Sequence, residues 1–300
     1  MKKLTLFLIF CSSLFAKEFD YQLKAINIAK NSYYFYGKEE YFSAQNGGDI
    51  ANSAFIITEN SVILIDTGSS YQYGNQIKKQ ISKITNNPIK YIINTHHHPD
   101  HFLGNNAFEK SDIYASKFTQ DEISKNGELY IMNLNNLVQK AMQGTKIKAP
   151  NMHLKTKELN IDDYILEILY FDGHTSSDVA IYDKQTKVLY SSDLIFNKRA
   201  LATPHANLEK WIKSLKELKK IDFKILVPGH GKIATSKKVI NENIAYLEYL
   251  HNTFKNSANS GLDIFEVLEI KVPKEFKDYS MFEEEFERSV INLYPKYEKR

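Results

Sequence analysis

Cysteine is almost absent from this sequence of 300 residues, because Cys11, close to the N-terminus, is the only one. Disulfides and thiolate metal ligands are therefore excluded for the rest of the chain. Any bound metal must be held by nitrogen and oxygen donors, and the lack of thiols suits an oxidising compartment. No repeat or low-complexity linker interrupts the chain. Its composition, 43% apolar and 25% charged, is that of an ordinary globular domain.

The N-terminal apolar run, Leu4–Phe10, is too short to span a membrane. It follows two lysines and leads to a small residue at Ala16, a pattern typical of a secretory signal peptide over residues 1–16. We therefore expect a periplasmic protein with no stable membrane insertion after cleavage. Lipoprotein anchoring at Cys11 is not expected, because Phe10 stands where such sites need a small residue.

Neither sign of charge dominates, with 39 Lys and Arg residues against 36 Asp and Glu residues. The densest basic segment, 213–224, places its lysines among Leu215, Leu218 and Ile221 at helical spacing. This pattern indicates a solvated helix face, and no nucleic-acid partner is expected.

Apolar periodicity predicts alternating strands and helices with an insertion that is partly helical at 127–160. The predicted strands are Ala54–Thr58, Val62–Asp66, Ile89–Ile93, 113–114, Ile161–Tyr170, Val179–Tyr182, Val188–Tyr190 and Lys224–Val227, and the helices are Tyr71–Lys83, 116–125, Asn207–Lys220 and Ser236–Lys255. Pro228–Gly231 is expected to be a turn. The tail after 259 is expected to be helical and to pack on the body through Phe265, Leu268, Phe282, Phe286, Val290 and Leu293.

Histidine is concentrated in one stretch, Asn94–Gly104, directly after the predicted strand Ile89–Ile93. Four candidate metal ligands fall within six positions there: His96, His98, Asp100 and His101. Alternate residues of an extended segment share a face, so His96 and His98 can point at one metal while His97 points away. A turn at Pro99 then directs Asp100 and His101 toward a second position.

Three further candidate ligands stand near the ends of other predicted strands: His174, Asp193 and His230. Glycines at 173, 229 and 231 allow the backbone conformations that aim the two imidazoles inward. Asp66 is either a partner of a ligand or a turn cap. His97, His153 and His251 are not expected to bind metal.

The motif H-x-H-x-D-H, followed by His174, Asp193 and His230, resembles the metallo-β-lactamase superfamily over about residues 51–231. The resemblance implies an α/β fold, a four-layer αβ/βα sandwich over 17–258, with our predicted C-terminal helical extension, 259–300, packed on it. It also implies two Zn²⁺ ions, the first held by His96, His98 and His174, the second by Asp100, His101 and His230, with Asp193 bridging both. Iron or manganese would fit the same donors.

Within this superfamily the chain most resembles the quinoprotein relay system zinc metallohydrolases, exported proteins associated with periplasmic quinoprotein dehydrogenases. The segments Gly173–Asp178, Ser192–Phe196 and Val227–Gly231 carry that resemblance. The implied activity is hydrolysis of an ester, thioester or amide carbonyl in a small molecule, of which a β-lactam is one case. A metal-bridging hydroxide would attack the carbonyl, and Asp100 would orient it.

Two alternatives remain open: an iron-dependent oxidoreductase similar to persulfide dioxygenases, and a non-catalytic accessory of a periplasmic dehydrogenase or carrier. The pocket that selects the substrate is expected in 127–160 and 194–206. Asn197, Lys198 and His205 follow Asp193 on a segment that should border the site, and they are candidate substrate contacts.

Overall fold

The computed structural model describes residues 18–298. The predicted signal peptide lies outside these residues, so its cleavage and the periplasmic location stay predictions. Among the helices of the described part, none has the length and apolar character that a membrane crossing requires.

Two β-sheets form the centre of the protein. The first contains seven strands paired in chain order: β1 (Ile26–Ala29), β2 (Ser32–Phe35), β3 (Ser53–Ile57), β4 (Val62–Ile65), β5 (Ile89–Ile93), β6 (Asp112–Ala115) and β7 (Met152–His153). Its pairs from β4 onward are parallel, and its earlier pairs are antiparallel. The carboxyl ends of β4, β5 and β6 therefore meet at one edge.

The second sheet has five strands in the spatial order β12-β11-β10-β9-β8, with bounds β8 (Glu158–Ile161), β9 (Tyr164–Phe171), β10 (Asp178–Asp183), β11 (Val188–Phe196) and β12 (Ile225–His230). Only β11 and β12 pair in parallel. Apolar side chains from both sheets, among them Ile56 and Ile63 of the first and Ile168 and Ile181 of the second, share one buried cluster. The two sheets therefore pack face to face.

Helices cover the outer face of each sheet. The helices within residues 18–298 are α1 (Tyr71–Ile81), α2 (Pro99–Phe102), α3 (Lys117–Val138), α4 (Leu208–Leu218), α5 (Lys238–Asn259), α6 (Ile264–Leu268), α7 (Lys274–Lys277) and α8 (Phe282–Glu298), with short 3₁₀ turns at Asn105–Ala107 and Gln139–Met142. One buried cluster joins α1 and α3 to the first sheet, and another joins α4 and α5 to the second. The result is the four-layer α/β sandwich that the sequence predicted.

The C-terminal helices share a core with the body. Phe282, Phe286, Val290 and Leu293 of α8 lie in the same buried cluster as the apolar faces of α4 and α5. The prediction for Phe265 was wrong, because its side chain is 74% exposed. The helix α6 has only five residues and buries only Val267 among them, so its other side chains face outward or lie at its margin.

Several elements differ from their predicted bounds. The strand predicted at Val188–Tyr190 continues as β11 to Phe196, and the single strand predicted at Ile161–Tyr170 is the antiparallel pair β8 and β9. The segment expected as a turn at 228–231 continues β12 to His230, and Pro228 is tolerated because β12 is an edge strand. The helix expected at 116–125 continues to Val138. Gly127 lies inside this helix. A Cβ at this position would lie 2.7 Å from the Ile147 side chain, so the glycine allows Ile147 to pack closely against the helix.

Packing of α8 can be tested with two substitutions that lie two residues apart. Leu293 is 2% exposed and Ile291 is 49% exposed. Leu293→Ala should lower the free energy of unfolding by about 2–5 kcal/mol, because it removes buried methylene contacts. Ile291→Ala should change it by less than about 0.5 kcal/mol. Urea unfolding measures both, and equal small effects would show that α8 adds nothing to the core.

Candidate metal centre

The histidine-rich stretch lies at the carboxyl end of β5, at the edge where parallel strands of the first sheet end. His98 has extended backbone (φ −74°, ψ 145°) and precedes the short helix α2, which Pro99 opens. Asp100 and His101 lie on that helix. The change from extended chain to helix turns these two side chains away from the direction that His96 and His98 take.

His96, His98, His174 and Asp193 form a first group, whose donor atoms all lie within 4.8 Å of one another. His98 Nδ1 is 2.9 Å from His174 Nε2. Asp193 Oδ2 is 3.3 Å from His174 Nε2 and 3.8 Å from His96 Nε2. Three imidazoles and a carboxylate therefore converge, although they come from three separate segments of the chain.

A second group contains Asp100, His101 and His230. Asp100 Oδ2 lies 3.5 Å from His230 Nε2 and 3.8 Å from His101 Nε2. Asp193 reaches this group too, with Oδ1 at 3.0 Å from His101 Nε2 and Oδ2 at 3.3 Å from His230 Nε2. The Asp193 carboxylate thus lies between the two groups.

The outer nitrogens of three of these histidines have oxygen partners. The Nδ1 atoms lie 2.8 Å from Asp66 Oδ2 for His101, 2.8 Å from the Ile50 carbonyl for His230, and 3.0 Å from Thr95 Oγ1 for His96. A partner on Nδ1 fixes the ring orientation and leaves Nε2 to face a metal. Asp66 therefore supports a candidate ligand, one of the two roles that the sequence left open for it.

Several inner atoms are buried without a conventional partner. Within residues 18–298, His96 Nε2, His101 Nε2 and Asp193 Oδ1 have no hydrogen bond of acceptable geometry. Buried polar atoms of this kind cost free energy unless something else satisfies them. Nitrogen and oxygen donors that converge in two groups fit a pair of divalent metal ions.

Charge and burial set the protonation of the two groups. Burial lowers the pKa of both His96 and His98 well below its usual range, and neighbouring imidazoles lower it further. Burial also lowers the pKa of His101, but the carboxylates of Asp193, Asp66 and Asp100 outweigh it and hold that pKa well above its usual range. Metal ligation requires neutral imidazole, so a metal at the second group would displace a proton from His101.

Asp193 occupies its position because the backbone around it is irregular. Ser192 before it has a positive φ of 45°, and the β11–β12 register shifts on either side of it. A Cβ on Gly229 would lie 1.9 Å from Asp193 Oδ1. Gly229 is therefore needed because any side chain there would collide with Asp193. Gly173 (φ 142°) and Gly231 (φ 87°) are needed for a different reason, since they adopt the positive φ that glycine favours.

The three candidate substrate contacts are in different places. His205 Nδ1 lies 2.8 Å from His98 Nε2, on the side of that ring away from His174. Asn197 donates to the Lys232 carbonyl, and Lys198 pairs with Glu242 at 3.0 Å. Asn197 and Lys198 are not among the described residues that line the cavity over the site, so the structure brings only His205 to it.

The other three histidines are held by different contacts. His97 packs against the rings of Phe118 and Tyr130, and burial lowers its pKa to about 3. His153 lies on the exposed strand β7, and His251 Nδ1 lies 2.9 Å from the Tyr297 hydroxyl. His97, His98 and His205 do form a third donor group, but it shares His98 with the first.

A cavity of about 230 Å³ opens over the two groups. Its wall includes residues to which the sequence gave no role: Tyr41, Tyr130, Arg199, Glu285 and Arg288. Glu285 and Arg288 belong to α8, far from the metal motifs in sequence. Their spacing of three residues on a helix indicates an ion pair, but nothing in the sequence places that pair beside the site.

Comparisons with known proteins agree with this geometry. Residues 46–230 match the metallo-beta-lactamase superfamily. A linear primary-alkylsulfatase from Pseudomonas sp. is 23% identical over 282 residues, which cover 79% of this chain and 53% of that protein. The metallo-beta-lactamase IND-1 of Chryseobacterium indologenes is 25% identical over 187 residues, covering 60% of this chain and 71% of that protein. A solved metallo-beta-lactamase from Pontibacter korlensis superposes with a TM-score of 0.63 at 21% identity, covering 76% of this chain and 99% of its own.

The chain therefore belongs to the metallo-beta-lactamase superfamily, as its motifs predicted. Proteins of this fold bind divalent metals and are mostly hydrolases. The chain spans about half the length of the alkylsulfatase that it matches, so the activity of that whole protein does not pass to this chain by similarity.

Asp66 provides a test of the support around His101. Asp66→Asn removes the carboxylate next to His101 Nδ1, and we expect metal affinity at the second group to fall about 10–100-fold. Titration against a chelating indicator measures this. Asp183→Asn is the matched control, because Asp183 is also buried and accepts a hydrogen bond from Tyr164, but it lies at the end of β10 and belongs to neither donor group. Equal metal affinities in the two variants would contradict a role for Asp66.

Proposed function

We propose that this protein is an exported dinuclear zinc hydrolase that cleaves an ester, thioester or amide in a small molecule. The observation that carries the proposal is the shared carboxylate: Asp193 lies within 3.8 Å of an imidazole nitrogen of His96, His101, His174 and His230. A structural zinc site is closed and has four ligands, whereas seven donors in two groups beside an open cavity are typical of catalysis.

In this proposal His96, His98 and His174 hold one zinc ion, Asp100, His101 and His230 hold the other, and Asp193 contacts both. Two zinc ions supply a hydroxide at neutral pH and polarise the carbonyl that it attacks. No serine or cysteine nucleophile is then required. Iron or manganese would be held by the same donors with lower preference.

The chain's own residues prepare the site in three ways. Asp100 lines the cavity and also belongs to the second donor group, so its carboxylate can orient the attacking oxygen. His98 lies between His174 and His205, and these contacts fix the plane of its ring. Burial of Asp193 and His101 keeps water away from the donors and strengthens their electrostatic interactions.

Hydrolysis of a sulfate ester is a second candidate reaction. The similarity to the alkylsulfatase covers 79% of this chain, more than the similarity to IND-1 covers, and this favours testing it. Export, and an association with a periplasmic quinoprotein dehydrogenase or carrier, are parts of the proposal that rest on the sequence patterns alone. An iron-dependent oxidoreductase, which is a different class of enzyme, remains the alternative.

Metal analysis and hydrolysis should be measured on one preparation. After reconstitution we expect about two equivalents of zinc and hydrolysis of at least one of a thioester, nitrocefin or an alkyl sulfate. His101→Ala should retain about one equivalent and lose most activity, because it removes a donor of the second group only. His153→Ala is the control, since His153 is exposed on β7.

The outcomes separate the alternatives. Less than one equivalent of zinc in the reconstituted wild type would exclude the dinuclear site. Oxygen consumption with bound iron, without hydrolysis, would favour the oxidoreductase. Full occupancy without turnover of any substrate would favour the accessory role.

A further inference from the structure

We propose that the C-terminal helix α8 completes the substrate site, and that Arg288 on this helix binds a carboxylate group of the substrate. The substrate would then be a small organic anion that carries its scissile bond on a short apolar chain. The choice of substrate rests on the proposed hydrolytic function, whereas binding of the anion does not.

The first step in the argument is the position of α8 relative to the donor groups. Glu285 and Arg288 line the same cavity as His98, Asp100 and His230. The guanidinium carbon of Arg288 lies 5.2 Å from the centre of the Tyr41 ring, which also lines the cavity. Arg288 therefore lies beside the same cavity as the donor groups.

The second step is the charge of this wall. Glu285 is fully buried and accepts hydrogen bonds from Arg199 Nη2 at 3.3 Å and from Arg288 Nη1 at 3.0 and 3.2 Å. In this part of the wall two arginines face one glutamate, a formal charge of +2 − 1 = +1. Asp100 and Asp193 also line the cavity, but their carboxylates belong to the donor groups. A single buried carboxylate does not neutralise both guanidinium groups, so the wall favours an additional anion.

The third step concerns the hydrogen-bond donors of the two arginines. Arg199 is 2% exposed, lines the cavity, and its Nε has no hydrogen-bond partner among residues 18–298. The side chain of Arg288 is 36% exposed, and both of its hydrogen bonds to Glu285 come from Nη1. A guanidinium has five N–H donors in a planar fork that matches a carboxylate. Arg288 can therefore keep its bond to Glu285 and bind a second carboxylate.

The fourth step is the size and polarity of the rest of the cavity. Its wall includes apolar side chains from α3 and from the segment after β11: Tyr130, Leu134, Leu137, Ala202 and Pro204. A volume of about 230 Å³ is below the range for drug-sized ligands. The cavity therefore fits a compact molecule with one anionic end near Arg288 and a carbonyl near Asp100.

Paired substrates test this proposal on the zinc-loaded protein. The mono-4-nitrophenyl ester of glutaric acid and 4-nitrophenyl valerate have acyl chains of equal length, and only the first ends in a carboxylate. Arg288→Ala should raise KM for the glutarate ester by about tenfold, because charge-assisted hydrogen bonds are lost. It should change KM for the valerate ester by less than about twofold, with similar kcat for both.

Two further variants control for structure and for net charge. Arg288→Gln keeps a hydrogen-bond donor for Glu285 and covers the case in which Arg288→Ala does not fold. Lys274→Ala removes an equal charge from the exposed surface of the same extension and should change neither ester's KM. An equal loss in Lys274→Ala would mean that the effect is general electrostatic steering, which overturns the proposal.

A binding measurement separates this proposal from the proposed reaction. In calorimetry, 4-phenylbutyrate should bind the wild type at least about fivefold more tightly than it binds Arg288→Gln, whereas 4-phenylbutyramide should not distinguish them. If the wild type binds the acid in this way but cleaves no ester, the anion site stands and the hydrolytic function fails. If both esters are cleaved and Arg288→Gln changes neither KM nor binding, the anion site is overturned and hydrolysis stands.

Discussion

A carboxylate enclosed by imidazoles is the constraint on which the rest of this structure depends. Asp193 is 3% exposed, and imidazole nitrogens of four histidines lie within 3.8 Å of its oxygens. Removing a carboxylate from water costs several kcal/mol unless cations compensate for it. Burial would raise its pKa, but His101 and His230 outweigh that effect and hold the pKa well below its usual range. Such a charge is tolerated only where positive charge, from a proton or from metal ions, is held against it.

Keeping that carboxylate in place requires contacts between the two sheets. Asn52, next to β3 of the first sheet, donates from Nδ2 to the carbonyls of Pro228 and Gly231, each at 2.8 Å. Its backbone N–H donates to the Gly229 carbonyl at 2.7 Å. These bonds fix the end of β12, where the candidate ligand His230 lies and Gly229 makes room for Asp193. The interface between the sheets thus determines the geometry of the donors as well as the stability of the fold.

The sequence predicted what is encoded locally and missed what depends on pairing between distant segments. The strand Ile89–Ile93 was confirmed to the residue, because apolar periodicity and the following turn are local signals. The continuation of β12 through Pro228 was not predicted, because it depends on an edge position that only the assembled sheet defines. The seven candidate donors converge as two groups that share Asp193, an arrangement that spacing alone suggested for His96–His101 only. Asn52 carries no motif, so its role could not be read from the chain.

The charged residues of α8 that line the cavity lie in a different part of the chain from the candidate metal ligands. The family match ends at residue 230, whereas Glu285 and Arg288 lie on the helix that packs over the second sheet after it. The part of the chain that matches the family therefore contains the candidate ligands, and the extension contains charged residues that line the cavity. In the proposed hydrolase, substrate selection depends on the groups that face the substrate beyond the reacting atoms. The residues of α8 would then carry more information about the substrate than the candidate metal ligands do.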